Sequence, residues 1–386
     1  MSMGKPGRLA IVGIAESEFG KVPHKTAFQL HAEAARAAVA DAGLRPSEID
    51  GLFSAGAREG MHIISIGEYL GLKPRFADST QIGGSAWELF IQHAMAAFST
   101  GRCETALLVY ASTSASDVKR GLRSGDVQRG ARGTNQFETP YGATLIAKYA
   151  MAAQRHMDLY GTKPEQLAEV AVAARKNASL NPLATYRDPI TVDDVLASRF
   201  IAEPLHLLDC CIRTDGGGAL VLTTEERARD LDVKPVWVLG SGYSQSHIAM
   251  SAWDDFTMSP AREAAADAYR EAGVAADDID YLGIYDSFTI TVLLTLEALG
   301  VCDPGESGAF VEGGTLAYDG SQPANTDGGG LSCNQPGMRG LFLLIEAVRQ
   351  LRGEAGDRQL DDPRLALCNG TGGWMSSAGT VILGNE

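Results

Sequence analysis

The chain has 386 residues, of which 45% are hydrophobic and 21% charged, with 44 glycines and a formal net charge of −15. This is the composition of a globular protein, large enough for one big core or two fused units of about 150–200 residues each. The negative charge excludes nonspecific binding to nucleic acid or anionic membrane, because no basic stripe is present to release phosphate counterions.

The first apolar run, residues 9–14 (LAIVGI), is far too short to span a bilayer and reads as a buried strand. Residues 35–52 read ARAAVADAGLRPSEIDGL. An Ala-rich helix is expected to stop at Gly43, where a left-handed residue is needed, and a polar turn then leads into a strand. A helix is expected over 86–101, opened by the Gly83-Gly84-Ser85 turn and followed by a strand at 106–110. Helical periodicity returns at 145–160 and 164–179, followed by a loop with Asn181-Pro182 and Asp188-Pro189. Residues 127–200 are therefore expected to form an inserted cap over a binding site. The six cysteines make no CxxC pair and no paired Cys/His zinc spacing, and no secretory signal is seen, so no metal site is expected and a reducing, cytoplasmic setting is. Adjacent Cys210 and Cys211 cannot form an ordinary disulfide with each other and are expected in the core, as is Cys333. Glycine triples at 216–218 and 328–330 lack the Lys or the glycine order of a phosphate cradle, and read as close backbone crossings.

The chain also repeats itself. Residues 265–282 read AADAYREAGVAADDIDYL, sharing with 35–52 the Ala-Gly helix stop and the Ile-Asp approach to a strand. Each copy follows a Gly-bearing apolar strand (9–13 and 236–240). The helix-to-strand passage 86–110 has its counterpart in a helix over 338–353 and a strand at 365–368. Two strand–helix–strand–helix–strand units packed face to face are the simplest assembly. The expected division is a first half at 1–126, a cap at 127–200, the last strands of the first half at 201–232, and a second half at 233–386.

Several stretches, in unbroken order, carry a family likeness: IVGIAESEFG from Ile11, KYAMAAQRHMDLYGTKPEQLAEVA from Lys148, NPLATYRDPITVDDVLAS from Asn181, PLHLLDCCIRTDGGGALVLTTEE from Pro204, YDSFTI from Tyr285, GGGLSCNQPG from Gly328 and LCNGTGG from Leu367. With the duplicated plan, they resemble the thiolase superfamily, in its sterol-carrier-protein-x or lipid-transfer branch. The resemblance implies an α/β thiolase fold, five-layered α-β-α-β-α, with an inserted helical loop. It implies a substrate that brings its own coenzyme A, with no cofactor held permanently. A homodimer is implied, and so is a small OB-fold and zinc-ribbon partner.

The residues of thiolase chemistry do not follow the fold. A thiolase needs a nucleophilic Cys at the N-terminus of the central helix, two histidines in turns of the second half, and a Cys-x-Gly turn. Here the nucleophile position falls on Gly84, Tyr285 replaces the His of the H/N-x-x-F turn, and Gln335 replaces the His of the Gly-His-Pro turn. Cys368-Asn369-Gly370 alone survives, and no histidine follows His247. Ser85 lacks the base a serine nucleophile needs and is expected to cap the helix. Gly84, Ser85 and Gly370 are expected to offer backbone to a thioester oxygen. Tyr285 is expected as the acid/base if its surroundings lower its pKa, with Asp286, Gln335 and Cys368 around it. Some cysteine-less relatives are retro-aldolases on steroid CoA thioesters and use a Tyr in this turn. They tend to bear a second Tyr where this chain has Gln335. The expected activity is non-covalent C–C cleavage or formation on an acyl-CoA. Thiolase-type acyl transfer and a catalytically degenerate acyl-CoA-binding subunit stay open as alternatives.

Overall fold

A computed structural model describes residues 8–56, 61–119, 133, 135–142 and 144–386. Part of the expected cap (residues 127–132, 134 and 143) lies outside them. The first half contributes strands β1 (Leu9–Glu16), β2 (Gly51–Phe53), β3 (Phe76–Asp78), β4 (Thr105–Ser112) and β5 (Gly216–Thr224), with helices α1 (Ala27–Asp41), α2 (His62–Leu70) and α3 (Ala86–Ser99). Between β4 and β5 run helices α4 (Leu145–Tyr160) and α5 (Pro164–Ser179), at the bounds their periodicity predicts. The second half adds β6 (Val236–Gln245), α6 (Ala261–Ala272), β7 (Tyr281–Ile284), α7 (Thr289–Ala298), α8 (Gly340–Arg352), β8 (Leu365–Gly372) and β9 (Ser377–Gly384).

Among the described residues these strands form one nine-stranded sheet in the order β3-β2-β4-β5-β1-β6-β9-β8-β7. Read outward from its middle, the sequence β1-β5-β4-β2 on one side matches β6-β9-β8-β7 on the other. The halves are stitched edge to edge where Leu9–Ile11 pairs antiparallel with Val236–Val238. Helices α3 and α8 fill the space between the two half-sheets, where Trp87, Phe90 and Ile91 meet Leu341, Phe342, Leu344 and Ile345. Outside the first half-sheet lie α1 and α2, and outside the second lie α6 and α7. Five layers result, as the resemblance implies.

The duplication extends to single hydrogen bonds. Asp50 accepts from Thr105 N at 2.9 Å and Glu104 N at 3.0 Å, and Asp280 accepts from Leu365 N at 2.9 Å and Arg364 N at 2.8 Å. The acid that follows each Ile thus ties the start of β2 or β7 to its parallel neighbour. A side chain at Gly13 would begin 2.2 Å from Ala38 O, and one at Gly240 2.2 Å from Ala268 O. The helix of each half therefore rests directly on strand backbone, which is why both helices are Ala-rich on that face. Helix α7 departs from ordinary amphipathic design: all ten of its residues are buried, because α4 and α5 cover its outer side.

Gly13→Ala and Gly240→Ala are each expected to lower stability by about 3 kcal/mol, since the new methyl meets helix backbone that has no room to yield. Urea unfolding measures this, and an unchanged midpoint in both variants would refute the shared contact.

Candidate active site

Strand β7 ends at Ile284, and the next four residues, Tyr285 to Phe288, turn into α7. Tyr285 is 6% exposed and projects into the middle layer. Its ring lies over the short turn Gly83–Ser85 that opens α3. A Cβ built on Gly84 would stand 2.1 Å from Tyr285 Cε2, 2.8 Å from its Cζ and 2.6 Å from Thr371 O. The space a nucleophilic side chain would use is occupied by the tyrosine ring, so the two departures from the thiolase pattern are one steric exchange.

The Tyr285 hydroxyl accepts from Gln335 Nε2 at 3.2 Å and from Arg339 N at 3.3 Å. Burial pushes its pKa well above the ordinary phenol value, against the opposing pull of the Gln335 bond. The expected lowering does not occur, because desolvation of a phenolate outweighs two long hydrogen bonds to it. Gln335 is itself fixed at the backbone: its N–H donates to Thr214 Oγ1 at 3.0 Å, and its carbonyl accepts from Thr214 N at 3.1 Å.

Arg339 is wholly buried just ahead of α8. It donates to Asn334 O at 2.9 Å, Asn334 Oδ1 at 2.8 Å and Asp327 Oδ2 at 2.5 Å, and its Nε lies 3.4 Å from Asp286 Oδ1. Asp286 turns away from the tyrosine and accepts from Gly330 N at 2.8 Å and Leu331 N at 3.1 Å. Burial raises its pKa to about 6, opposed by Arg339 and these amides. Burial disfavours the Asp327 carboxylate too, but Arg339 holds its pKa below the usual value.

The other expected residues do not join this group. Ser85 does not cap α3: it has helical φ/ψ, and its hydroxyl bonds Ile82 O at 3.2 Å and Ser377 Oγ at 2.8 Å. The Gly83–Ser85 turn runs straight into α3, leaving no extended residue from which a cap could reach back. Gly370 lies under the carboxyl of Glu88, whose Oε2 would be 2.1 Å from an added Cβ, so that face of Gly370 is filled by protein. The Cys368 thiol donates to Leu343 O at 3.4 Å with no exposed surface. Burial, and then Glu88, pushes its pKa well up.

Sequence reasoning missed Arg339, Glu88, Cys211 and Tyr149. Cys211 is partly exposed rather than core. Burial brings its thiol pKa to about 12, and the Asp286 carboxylate pushes the same way. Tyr149 of α4 packs against Phe288 in a tilted pair with ring centroids 4.4 Å apart and donates to Gly373 O at 3.3 Å. Lys148 beside it sits 3.3 Å above the Trp374 ring. Helix α4 thus covers the turn that carries Tyr285. The sequence singled out Cys210 and Cys211 only as core, and both are partly exposed, whereas a lone Arg in the apolar run around 338–348 was a readable signal for Arg339.

Known proteins resemble this chain in sequence and fold. The family described as thiolase C-terminal domain-like matches residues 242–385. The steroid side-chain-cleaving aldolase of Thermomonospora curvata is 38% identical over 98% of this chain and 98% of its own. The chain belongs to the thiolase superfamily, in its lipid-transfer branch. Within that superfamily, the 17-hydroxy-3-oxo-4-pregnene-20-carboxyl-CoA lyase of Mycobacterium tuberculosis is 35% identical over 97% of this chain and 99% of its own. The solved Ltp2–ChsH2(DUF35) aldolase covers 98% of both chains at 35% identity with a TM-score of 0.88. Among the described residues of this thiolase-like chain, no helix is long and apolar enough to cross a membrane.

Gly84→Ala is expected to cost about 3 kcal/mol of stability, and Gly84→Ala/Tyr285→Ala less than the sum of its single changes. Additive costs in a denaturant double-mutant cycle would mean that ring and glycine do not compete for space. Turnover is expected to fall as pH drops through about 6, where Asp286 takes up a proton and Arg339 loses one of its two carboxylate partners. A pH–kcat profile with no acid limb near that value would disprove the dependence.

Proposed function

We propose that this protein cleaves the Cα–Cβ bond of a β-hydroxyacyl-CoA by a retro-aldol step, without acylating itself. The reverse condensation uses the same site. The acyl group is steroid or lipid derived, a reading supported by the names of the two lyase and aldolase relatives. Coenzyme A arrives as part of the substrate, and the reaction needs no resident cofactor.

The observation that carries this reading is the Tyr285 ring at Gly84. It removes the place from which a cysteine would attack a thioester, and it sets a hydroxyl in that place. Acyl transfer through a covalent thioester thereby loses its nucleophile position. At neutral pH the buried phenol keeps its proton, so it acts as a relay rather than as a standing base. Its oxygen takes the β-hydroxyl proton while its own proton moves on toward the α-carbon. Gln335 Nε2 and the Arg339 N–H both donate to that oxygen, and they offset any negative charge that gathers there during the exchange. The first N–H groups of a helix have no intrahelical acceptor. Those at the start of α3, at Gly84 and Ser85, are suited to hold the thioester oxygen as the enolate forms.

Helices α4 and α5, within a cap proposed at 127–200, wall the acyl end, and the halves divide at 1–126 with 201–232 and 233–386. A small OB-fold and zinc-ribbon partner completes the thioester pocket. The paired name of the solved relative supports it. Superfamily resemblance supports a cytoplasmic homodimer joined through a core-sheet strand.

The test is release of ketone or aldehyde from β-hydroxyacyl-CoA thioesters, with and without the partner. Tyr285→Phe is expected to lower kcat about 100-fold while KM changes less than about threefold. In the native protein kcat is expected to stay level from pH 7 to pH 9, because no Tyr285 phenolate accumulates there. A tenfold rise per pH unit would replace the relay with a phenolate base. An acyl adduct in the intact mass after incubation with acetyl-CoA would defeat the non-covalent reading.

A further inference from the structure

Each residue of the turn that carries Gln335 is tied down, and the ties come from different parts of the fold. Asn334 O accepts from the Arg339 guanidinium at 2.9 Å. Gln335 exchanges two bonds with Thr214, its N–H donating to Thr214 Oγ1 at 3.0 Å and its carbonyl accepting from Thr214 N at 3.1 Å. Pro336 O accepts from the Tyr110 hydroxyl at 3.0 Å. Tyr110 stands on β4 and Thr214 lies just ahead of β5, so both belong to the first half. Thr214 is fixed there, because its neighbour Asp215 accepts from Val22 N at 3.0 Å and from Ser116 N at 2.9 Å. Tyr285 is anchored instead in the second half, where its N–H donates to Asn369 O at 3.0 Å. The contact between amide and phenol therefore joins two separately held pieces of chain.

The Gln335 side chain is oriented as well as placed. Gly337 N, which can only donate, meets Gln335 Oε1 at 3.4 Å, so the NH2 end of the amide faces the Tyr285 hydroxyl at 3.2 Å. That second distance is at the long end for an N–H···O bond, and a further shift of a few tenths of an ångström would break it. We infer that Thr214 and Tyr110 are positioning residues of the first half that aim the Gln335 amide at the Tyr285 hydroxyl, an assignment that rests on the cleavage reaction proposed above. They act through the turn and not on the substrate. Without the Thr214 hydroxyl the buried Gln335 N–H has no acceptor, and without the Tyr110 hydroxyl Pro336 O loses its donor. An unpaired buried group of either kind is costly enough that the turn moves to find a partner, and the amide moves with it.

The test is a set of double-mutant cycles on cleavage of a β-hydroxyacyl-CoA. Gln335→Ala is expected to lower kcat about tenfold, and Thr214→Val and Tyr110→Phe about fivefold each, with KM within about twofold of wild type. Thr214→Ser keeps the hydroxyl and is expected to stay within about twofold of wild-type kcat. Once Gln335 is alanine, neither Thr214→Val nor Tyr110→Phe is expected to cost further turnover, because no amide is left to aim. Full losses in that background would overturn the assignment, and so would a Gln335→Ala protein with wild-type kcat; both results leave the lyase function standing. Thr214→Val and Tyr110→Phe approach the turn from two sides, so if one fails to fold the other decides. A crystal structure of Thr214→Val needs no turnover: Gln335 Nε2 is expected beyond about 3.5 Å from the Tyr285 oxygen, and an unmoved amide would overturn the assignment. A wild-type protein that cleaves no β-hydroxyacyl-CoA, with the amide displaced in Thr214→Val, would overturn the function and leave the aiming contact standing.

Discussion

A guanidinium with no exposed surface holds the reacting end of this protein together. Arg339 binds Asp286 on the turn that carries Tyr285, Asp327 on the glycine loop, and Asn334 beside Gln335, while its own N–H reaches the Tyr285 hydroxyl. An isolated charge in such a place costs several kcal/mol. It is tolerated only because Asp327 and both oxygens of Asn334 take up its hydrogen bonds and the Asp286 carboxylate stands 3.4 Å from its Nε. Removing either carboxylate leaves charge uncompensated, so the three segments keep one mutual arrangement or lose it together. The position of the phenol oxygen follows from that arrangement.

Around this anchor the two halves have kept their scaffold and changed their chemistry. The paired aspartates at the strand starts and the paired glycines under the Ala-rich helices survive in both copies, because the contact of helix on sheet leaves no alternative shape. The middle layer, where α3 and α8 open side by side, is where the copies differ. There a glycine faces a tyrosine, and a buried glutamic acid rests on three glycines, Gly340, Gly370 and Gly379. Close packing makes such changes come in sets: a ring cannot enter unless the opposing side chain leaves.

Much of the fold was legible in the sequence. Helix stops at Gly43 and Gly273 stand at positive φ, and the periodic segments 145–160 and 164–179 became helices with those bounds. Both signals are local, set by backbone sterics and by 3.6-residue spacing. Of the site, Gly84, Tyr285 and Gln335 were found from the thiolase motif positions they occupy, and they do meet. Ser85, Gly370 and Cys368 were placed beside them by the same reasoning, yet each is taken up by a protein neighbour. Sequence spacing fixes which way a residue can face on its own element, but not whether the facing element leaves room for a ligand.

The sequence alone determined the duplication and the absence of a second-half imidazole, because each is a matter of order, period or composition along one chain, while the layer count was implied by the family resemblance. Only the tertiary structure decided that Tyr285 fills the space above Gly84, that burial keeps it a neutral phenol, and that the Cys368 thiol is taken up by Leu343 O inside the core. Those facts depend on desolvation and on contacts between residues from about 25 to about 200 positions apart. No local pattern encodes either one.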